Sequence, residues 1–289
     1  MKYLSAFEFP NIEQEYSFRT GMKRTCYNTI YPFFILSKHH LTRLEFEQIT
    51  ILYGGNGSGK TTALNVIAET LHLQRDTLYN RSNFFEDYTN YCTYKISNVI
   101  PSNSRIITSD DVFDFMLNIR SVNEGIDRKR EELFDEYLDM KYSHFQMKSL
   151  DDYEQLKNIV YARKRTTSQS RYVRDKLMAN VREQSNGESG FLYFTSKIRE
   201  NGLYLLDEPE NSLSPERQLE LMQYIEESTR FFGCQFIIAT HSPFFLSLRE
   251  SKIYDLDEEV VKVKDWTELK NVRIYYDFFK QHEKEFADK

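Results

Sequence analysis

Several features that would place the protein in a particular class are missing from its sequence. The 289 residues contain only three cysteines, far apart and without a CxxC pair, which excludes a disulfide-stabilised scaffold and gives no zinc-ligand spacing. No apolar run approaches the ~20 residues of a membrane span, and the beginning of the chain, MKYLSAFEFPNIEQEY, has no apolar signal-peptide core. We therefore expect a reduced, cytoplasmic protein without membrane insertion.

An excess of basic charge is also missing. The chain has 38 Lys and Arg against 44 Asp and Glu, a net charge of −6, which argues against a protein that coats nucleic acid over its whole surface but leaves a local basic patch open. What the chain does have is 40% hydrophobic residues, with 20 Tyr and 22 Phe beside one Trp. That is enough apolar material for a large core in one or two domains.

The strongest motif lies in the stretch ITILYGGNGSGKTTALNVIAETL, residues 49–71. A β-type run leads directly into GxxxxGK[ST], and a helical pattern follows, which is the context of a phosphate-binding P-loop. Glycines present successive N–H groups to phosphate oxygens, and the helix N-terminus adds its positive dipole end. The sequence therefore predicts a nucleotide-binding loop made by Gly55, Asn56, Gly57, Ser58, Gly59, Lys60, Thr61 and Thr62.

Two later apolar runs end in polar residues. The run 203–206 leads into Asp207 and Glu208, and the run 235–240 leads into His241. Apolar strands alternating with helices predict a mostly parallel α/β sheet with its ligand at the carboxyl ends of the strands, so we expect these strand ends to meet the P-loop. Each signal is weak alone, because Asp-Glu after a strand is common and such a histidine is often a satisfied core residue.

The remainder of the chain divides into regions of different character. Residues 1–122 indicate an N-terminal lobe in which short strands flank the P-loop, and Tyr27 or Tyr31 could stack on a base or simply pack in the core. Residues 123–184 are charged and helical, and predict a subdomain or short arm. Its basic, tyrosine-interleaved run at 161–176 could grip phosphate backbones, but the acidic balance of the chain favours a solvated helical face.

Four segments together resemble the ATPases of the ABC superfamily: GGNGSGKTT, QSNGES, LYLLDEPENSLSP and FIIATHSP. They are most similar to its non-transporter branch, with RecF-like and SMC-like proteins and small stand-alone bacterial ATPases of AAA or ABC type. The resemblance implies one ABC-type ATPase domain that uses ATP and Mg²⁺. It also implies an α/β P-loop NTPase fold, with a mostly parallel sheet, a flanking antiparallel β subdomain, a helical insertion, and a C-terminal lobe at 185–289.

The resemblance implies a role for each polar strand end. Asp207 would support Mg²⁺ together with Thr61, as the Walker B aspartate. Glu208 would be the general base for the attacking water, and His241 would be the switch histidine at the γ-phosphate. Lys60 would bind the β- and γ-phosphates.

A signature turn and a D-loop at 210–214 would lie at the seam of an ATP-dependent homodimer. The signature turn would contact the γ-phosphate bound by the opposite subunit. Its residues are Ser185, Asn186, Gly187 and Glu188.

Two departures from the family pattern stand out. The signature is SNGE rather than SGGQ, and no Q-loop glutamine is recognisable after the P-loop helix. Asp110 or Asp111, which follow the β-type run 104–108, could take the metal- and water-sensing place of that glutamine. They could equally be the cap of a helix.

Two functions compete at this point. The first is a stand-alone ATPase whose nucleotide-dependent dimerisation remodels or signals to a nucleic-acid or protein partner. The second is the nucleotide-binding subunit of a membrane transporter. The missing Q-loop glutamine favours the first, since that loop couples cassettes to their membrane partners. The presence of Lys60, Asp207, Glu208 and His241 disfavours a module with degenerate catalysis.

Overall fold

The computed structural model describes residues 1–23, 26–27, 29–142, 153–164, 168–177 and 186–287. The chain forms two compact units, Met1–Asp114 with Asn186–Lys289, and Phe115–Ser185. The predicted boundaries were 122/123 and 184/185. The two units divide at 114/115 and 185/186 instead, and the first division falls inside a continuous helix, α4 (Ser109–Tyr142). The assignment of the whole chain to one ABC-type ATPase domain stays a prediction.

A six-stranded sheet runs through the first unit in the order β5-β6-β7-β3-β8-β9. Adjacent strands of this sheet pair in parallel, except for β8 and β9, which are antiparallel. Strands β3, β6 and β7 are buried along their whole length, as expected for apolar strands covered on both faces. The predicted mostly parallel α/β sheet is therefore confirmed. The strands are β3 (Ile49–Tyr53), β5 (Arg105–Thr108), β6 (Leu203–Asp207), β7 (Gln235–Thr240), β8 (Ser251–Asp255) and β9 (Lys262–Val263).

A small antiparallel sheet accompanies it, as predicted for the flanking β subdomain. Its order is β2-β1-β4, with β1 (Leu4–Glu8), β2 (Arg43–Glu45) and β4 (Thr93–Ile96). The fully buried Gln235 joins the two sheets. Its Oε1 accepts the N–H groups of Tyr3 and Leu4, and its Nε2 donates to the carbonyls of Leu4 and Glu47. All the donors and acceptors of this buried amide are thereby used, which fixes the position of β1.

Two helices of the first unit, α2 and α8, pack against strands of the six-stranded sheet. Helix α8 begins at Pro215 after Ser214, whose side chain accepts the N–H of Arg217, as the Ser-Pro-Glu sequence predicts. The ranges are α1 (Ile12–Gly21), α2 (Lys60–Thr70), α3 (Phe85–Thr89), α7 (Asn186–Lys197), α8 (Pro215–Phe231), α9 (Pro243–Leu246), α10 (Lys270–Gln281) and α11 (Glu283–Ala287). Among the described residues, no helix is both long and apolar enough to cross a membrane.

The second unit consists of the greater part of α4 with α5 (Tyr153–Arg163) and α6 (Gln169–Lys176). Its small core is formed by Tyr137, Ala162 and Tyr172.

Basic side chains of the run 161–176 form ion pairs with nearby carboxylates. Lys176 Nζ lies 2.9 Å from Glu136 Oε1, and Arg171 Nε lies 3.9 Å from Asp175 Oδ2. Arg165 lies outside the described residues. Nucleic-acid binding by this run stays a hypothesis.

Candidate nucleotide-binding site

The P-loop connects the central strand β3 to the N-terminus of α2. Gly57 and Gly59 have φ angles of 85° and 92°, in the left-handed region that glycine adopts readily. A Cβ on Gly59 would also lie 2.9 Å from Leu36 Cδ2. The loop therefore needs glycine at this position, and it presents the unpaired N–H groups of the first turn of α2 to an anion.

Lys60 is the first residue of α2, and its side chain is 4% exposed. Its ammonium group donates to the carbonyl oxygens of Gly54 at 2.6 Å and Gly55 at 2.9 Å. The backbone N–H of Gly55 donates to Asp257 Oδ1 at 2.8 Å. Asp257 follows β8 and anchors the loop, a contact that the sequence analysis did not foresee.

Asp207 ends β6 beside the P-loop and is 7% exposed. Its Oδ1 accepts the Thr61 hydroxyl at 3.1 Å. Burial raises the pKa of Asp207 to about 7, with a further rise from Glu208, while the Thr61 hydrogen bond and Lys60 act in the opposite direction. A buried carboxylate beside a hydroxyl offers hard oxygen ligands, which suit Mg²⁺.

The donor set of this site is small. Among the described residues, no group of three or more His, Cys, Asp or Glu side chains could hold a metal ion alone. Mg²⁺ commonly binds proteins through one or two carboxylates and completes its octahedron with water and substrate phosphates. Thr61 and Asp207 therefore fit a magnesium ion that arrives with a nucleotide.

Glu208 has a left-handed backbone, with φ 46° and ψ 54°. Such a conformation costs a non-glycine residue about 1–3 kcal/mol and persists where the surrounding structure holds it. Its N–H donates to the carbonyl of Ala239 at 2.9 Å. Its Oε1 lies 3.7 Å from Lys60 Nζ and 3.9 Å from His241 Nδ1, and its Oε2 accepts the Asn211 amide at 2.9 Å. The unusual backbone thus brings the carboxylate to both predicted phosphate-binding side chains.

His241 follows β7 with its side chain 43% exposed, so it is not the satisfied core histidine of the alternative interpretation. Its Nδ1 lies 3.2 Å from Oε1 of Glu210. Glu210 was predicted only as part of the D-loop. The available signal was a third carboxylate directly after Asp207-Glu208-Pro209, but nothing in the sequence connected it to the histidine.

His241 is also joined to the helix α10. Its carbonyl accepts the side-chain amide of Asn271 at 2.6 Å, and the N–H of Asn271 donates to Tyr53 Oη at 3.1 Å. A cavity of about 920 Å³ lies here, lined by Glu210, His241, Trp266 and aromatic side chains of α10. The segment 240–242, called the histidine loop below, therefore borders both this cavity and the cluster of Lys60 and Glu208 beside the P-loop.

Three of the four predicted signature residues, Asn186, Gly187 and Glu188, are the first residues of α7. The fourth, Ser185, lies outside the described residues. Glu188 Oε1 lies 3.3 Å from Arg217 Nη2 of α8. A Cβ on Gly190 would lie 2.8 Å from the carbonyl oxygen of Ser212, which means that α7 packs closely against the segment that follows Glu208. Contact with a nucleotide of an opposite subunit stays a prediction.

Asp111 and Asp110 occupy the first turn of α4. Asp111 is buried, and its Oδ2 accepts the N–H of Thr108 at 2.6 Å while its Oδ1 accepts the Thr77 hydroxyl at 2.6 Å. Thr108 pairs with Asp207 across β5 and β6, so this turn lies beside the carboxyl end of β6. Asp110 is exposed. Asp111 therefore caps the helix, and its metal-sensing role stays a prediction.

The two tyrosines considered for base stacking contact neighbouring side chains. Tyr31 Oη lies 3.1 Å from Thr62 Oγ1, and the Tyr27 ring packs edge-on against Phe84 at 4.9 Å between centroids. Base stacking by either ring stays a prediction.

One family model matches the chain. It is described as an AAA domain, a putative AbiEii toxin of a type IV toxin–antitoxin system, and it covers residues 69–247. This range includes Asp207, Glu208 and His241 and begins after the P-loop. No curated protein matches the chain significantly.

The chain is also similar to solved structures at low identity. One is the Smc head domain of Pyrococcus furiosus bound to the C-terminal domain of ScpA, with 13% identity over 96% of this chain and 100% of that chain and a TM-score of 0.44. The SMC head domain of Thermotoga maritima has 13% identity over 77% and 92%, with a TM-score of 0.36. A dimeric bacterial ABC transporter cassette has 16% identity over 78% and 88%, with a TM-score of 0.38.

Proposed function

This chain belongs to the AAA domain family whose model it matches, and from that membership we propose that it binds ATP with Mg²⁺ and hydrolyses ATP to ADP and phosphate. The observation that carries the proposal is one cluster at the carboxyl edge of the parallel sheet. Lys60 Nζ and His241 Nδ1 lie 3.7 and 3.9 Å from the same carboxylate oxygen of Glu208. The Thr61 hydroxyl lies 3.1 Å from Asp207 in the same site.

In the proposed reaction, the P-loop N–H groups and Lys60 bind the phosphates. Phosphate oxygens replace the carbonyl oxygens of Gly54 and Gly55 as acceptors for the ammonium group. Thr61 and Asp207 would hold Mg²⁺, which would supply neutralisation of phosphate charge when bound. Positioning and electrostatic stabilisation account for most of the catalysis of phosphoryl transfer.

Glu208 takes the proton of the attacking water in this proposal. Asn211 holds one of its carboxylate oxygens, and the left-handed backbone directs the other toward the phosphate side chains. A positioned general base contributes about 10²- to 10⁴-fold to a rate. His241 Nδ1 lies 3.9 Å from Glu208 Oε1, and in this proposal the imidazole contacts the γ-phosphate.

We further infer that the active unit is an ATP-dependent homodimer. In a single copy, Lys60 and Glu208 leave one side of the expected γ-phosphate open. The predicted signature residues Ser185, Asn186, Gly187 and Glu188, the last three of which begin α7, would close that side in the opposite copy. The close packing at Gly190 joins this turn to the segment after Glu208, so closure at the seam is coupled to the catalytic carboxylate.

The experiment that tests both parts is sedimentation of Glu208→Gln with and without ATP and Mg²⁺. A monomer or loose dimer is expected without nucleotide, and a tight dimer with ATP, because the variant binds ATP without hydrolysing it. Sedimentation that shows no change of mass with ATP would contradict the dimer. ATP hydrolysis by the purified chain without membranes separates this function from that of a transporter subunit.

A complementation experiment provides a matched control. Ser185→Arg should bind ATP yet neither dimerise nor hydrolyse it, and Lys60→Ala should not bind ATP. A mixture of the two contains dimers in which one composite site has an intact P-loop and an intact signature turn. Recovery of hydrolysis only in the mixture supports shared sites, and its absence argues for sites complete within one copy.

The partner on which hydrolysis acts is proposed as a nucleic acid or a protein. The family model is described as a putative toxin of a type IV toxin–antitoxin system, and toxin regulation is therefore one process in which such a partner could occur. Capture of what binds to the ATP-trapped Glu208→Gln dimer, and not to Lys60→Ala, would identify the partner.

A further inference from the structure

Glu210 is a buried carboxylate with an unusual set of donors. Its side chain is 6% exposed. Its Oε1 accepts the Thr240 hydroxyl at 2.7 Å, the N–H of His241 at 2.8 Å and the N–H of Ser242 at 3.2 Å. Its Oε2 has no hydrogen-bond partner among the described residues. The hydrogen-bond donors to Oε1 thus all belong to the turn 240–242.

Burying a carboxylate is energetically unfavourable unless hydrogen bonds replace those it made with water. Glu210 lies in the short turn Pro209–Ser212 that follows Asp207 and Glu208. Its carboxylate therefore fixes the turn 240–242 to the end of the Walker B strand. This side chain therefore adds to the backbone hydrogen bond from Glu208 to Ala239 in joining the turn 240–242 to the proposed base.

The same oxygen also faces the imidazole ring. His241 Nδ1 lies 3.2 Å from Glu210 Oε1 and 3.9 Å from Glu208 Oε1. A carboxylate close to one ring nitrogen selects the tautomer in which that nitrogen carries the proton, and it orients the ring. Of the two carboxylate oxygens, Oε1 of Glu210 is the nearer to Nδ1, so a proton on Nδ1 faces Glu210 more closely than Glu208.

We propose that Glu210 is a positioning residue for ATP hydrolysis. It holds His241 as the Nδ1–H tautomer and prevents the ring from donating a hydrogen bond to Glu208. Oε1 of Glu208 is then left with its lone pair free for the proton of the attacking water. This inference rests on the proposed function, because Glu210 acts through His241 and Glu208 and contacts no reacting atom.

A double-mutant cycle tests whether Glu210 acts through His241. Glu210→Gln keeps the shape and an oxygen that can accept the loop N–H groups. It should lower kcat by about 10- to 100-fold, the usual range for residues that orient a functional histidine, with KM for ATP unchanged. The double variant Glu210→Gln/His241→Ala should be no slower than His241→Ala alone, because the second change removes the group on which the first acts.

The matched control is Glu216→Gln, an exposed carboxylate in the first turn of α8, which should leave kcat unchanged. Multiplicative losses in the double variant would overturn the proposal, since they would show that the two residues act independently. A rise in KM with unchanged kcat would also overturn it.

A spectroscopic measurement tests the contact without relying on catalysis. In protein labelled with ¹⁵N-histidine, the signal of His241 is the one that disappears in His241→Ala. The proposal expects a protonated Nδ1 and an unprotonated Nε2 in the native chain, and a shift toward Nε2–H in Glu210→Gln. An unprotonated Nδ1 in the native chain would overturn the proposal.

The two readouts also separate this inference from the proposed function. If the native chain fails to hydrolyse ATP, the proposed function fails while the tautomer still tests the Glu210 contact. If the native chain hydrolyses ATP but Nδ1 is unprotonated, only the present inference fails. Since the native spectrum needs no variant at Glu210, a folding defect of Glu210→Gln does not remove the test.

Discussion

Charged side chains are buried at the edge of the parallel sheet and exposed on the helices of the second unit. At the sheet edge, Lys60 and Glu210 are 4% and 6% exposed. In α4, Lys129 and Glu132 form an i,i+3 pair in which both side chains are 57% exposed. Exposed pairs contribute only about 0–1 kcal/mol and are easily tolerated, whereas removing a charge from water is unfavourable. A buried charge therefore needs partners that compensate its lost hydration, and at the sheet edge those partners are the proposed site residues.

The largest expected effect concerns the proposed base at the sheet edge. Glu208→Gln should lower the rate of ATP hydrolysis by about 10²- to 10⁴-fold, and it should keep ATP binding, because the amide is isosteric and Lys60 is unchanged. Phosphate release and equilibrium nucleotide binding measure the two effects. The matched control is Glu132→Gln in α4, which should change neither. Hydrolysis at the native rate by Glu208→Gln would show that another group is the base.

A somewhat smaller effect is expected on the stability of the metal-free protein. The pKa of Asp207 is raised by burial to about 7, above the unfolded value of about 3.9. The folded state therefore holds its proton more tightly, and stability is lost as the pH rises from about 4 to 7. Asp207→Asn removes this loss and should stabilise the chain at pH 8 by on the order of a few kcal/mol, since one pKa unit is about 1.36 kcal/mol.

Denaturant unfolding in a chelator at pH 5 and pH 8 checks this expectation. The difference between Asp207→Asn and the native chain should grow with pH, and equal stability at pH 8 would contradict it. With Mg²⁺ and ATP, the order should reverse, because the variant lacks the carboxylate that supports the metal. A reversal would show directly that this buried charge is kept for binding and not for folding.

A third effect, of comparable size, concerns ligand-dependent stability. ATP with Mg²⁺ at ~100 times its dissociation constant should stabilise the native chain by about 2.7 kcal/mol. Lys60→Ala should remove most of this gain, because it deletes the main charge that faces the phosphates. Thermal unfolding with and without nucleotide measures the difference. A shift in Lys60→Ala equal to that of the native chain would contradict the assignment of the P-loop.

The smallest effect is expected in the second unit. Lys176 pairs with Glu136 and is partly exposed, so Lys176→Met should change the free energy of unfolding by about 1 kcal/mol or less and leave ATP hydrolysis unchanged. Salt-sensitive binding of DNA or RNA that is lost in Lys176→Met would contradict this expectation. It would show that exposed charged pairs in the second unit also serve a function.

The parts of the site that could be predicted are those whose signal is local. Glycine-rich sequence between an apolar strand and a helix identifies the P-loop, and parallel strands bring Asp207 and His241 to the same edge as Lys60. Contacts between distant segments could not be predicted. Glu210 binds the N–H of His241, 31 residues away, and Asp257 binds that of Gly55, 202 residues away. Any of many carboxylates could make such contacts, and only the folded chain selects one.

The fold shows the same division. The sheet class follows from apolar runs of strand length, because burial on both faces requires them. The first boundary of the helical unit was misplaced, since α4 continues from Ser109 to Tyr142 without a break. The carboxylate of Asp111 accepts the Thr108 N–H at the start of α4 and the hydroxyl of Thr77, 34 residues earlier. A helix cap and a metal ligand require the same residue type, so the metal-sensing role of Asp111 stays a prediction.

The hydrogen bond between His241 and the first turn of α10 lies close to a tryptophan that can serve as an intrinsic fluorescent probe. Trp266, the one tryptophan of the sequence, lines the same cavity as His241 and precedes Asn271, whose side chain donates to the His241 carbonyl at 2.6 Å. The indole is 40% exposed, so its emission responds to changes in the polarity of this cavity. Movement of the histidine loop on nucleotide binding can thus be followed by intrinsic fluorescence in the unlabelled chain.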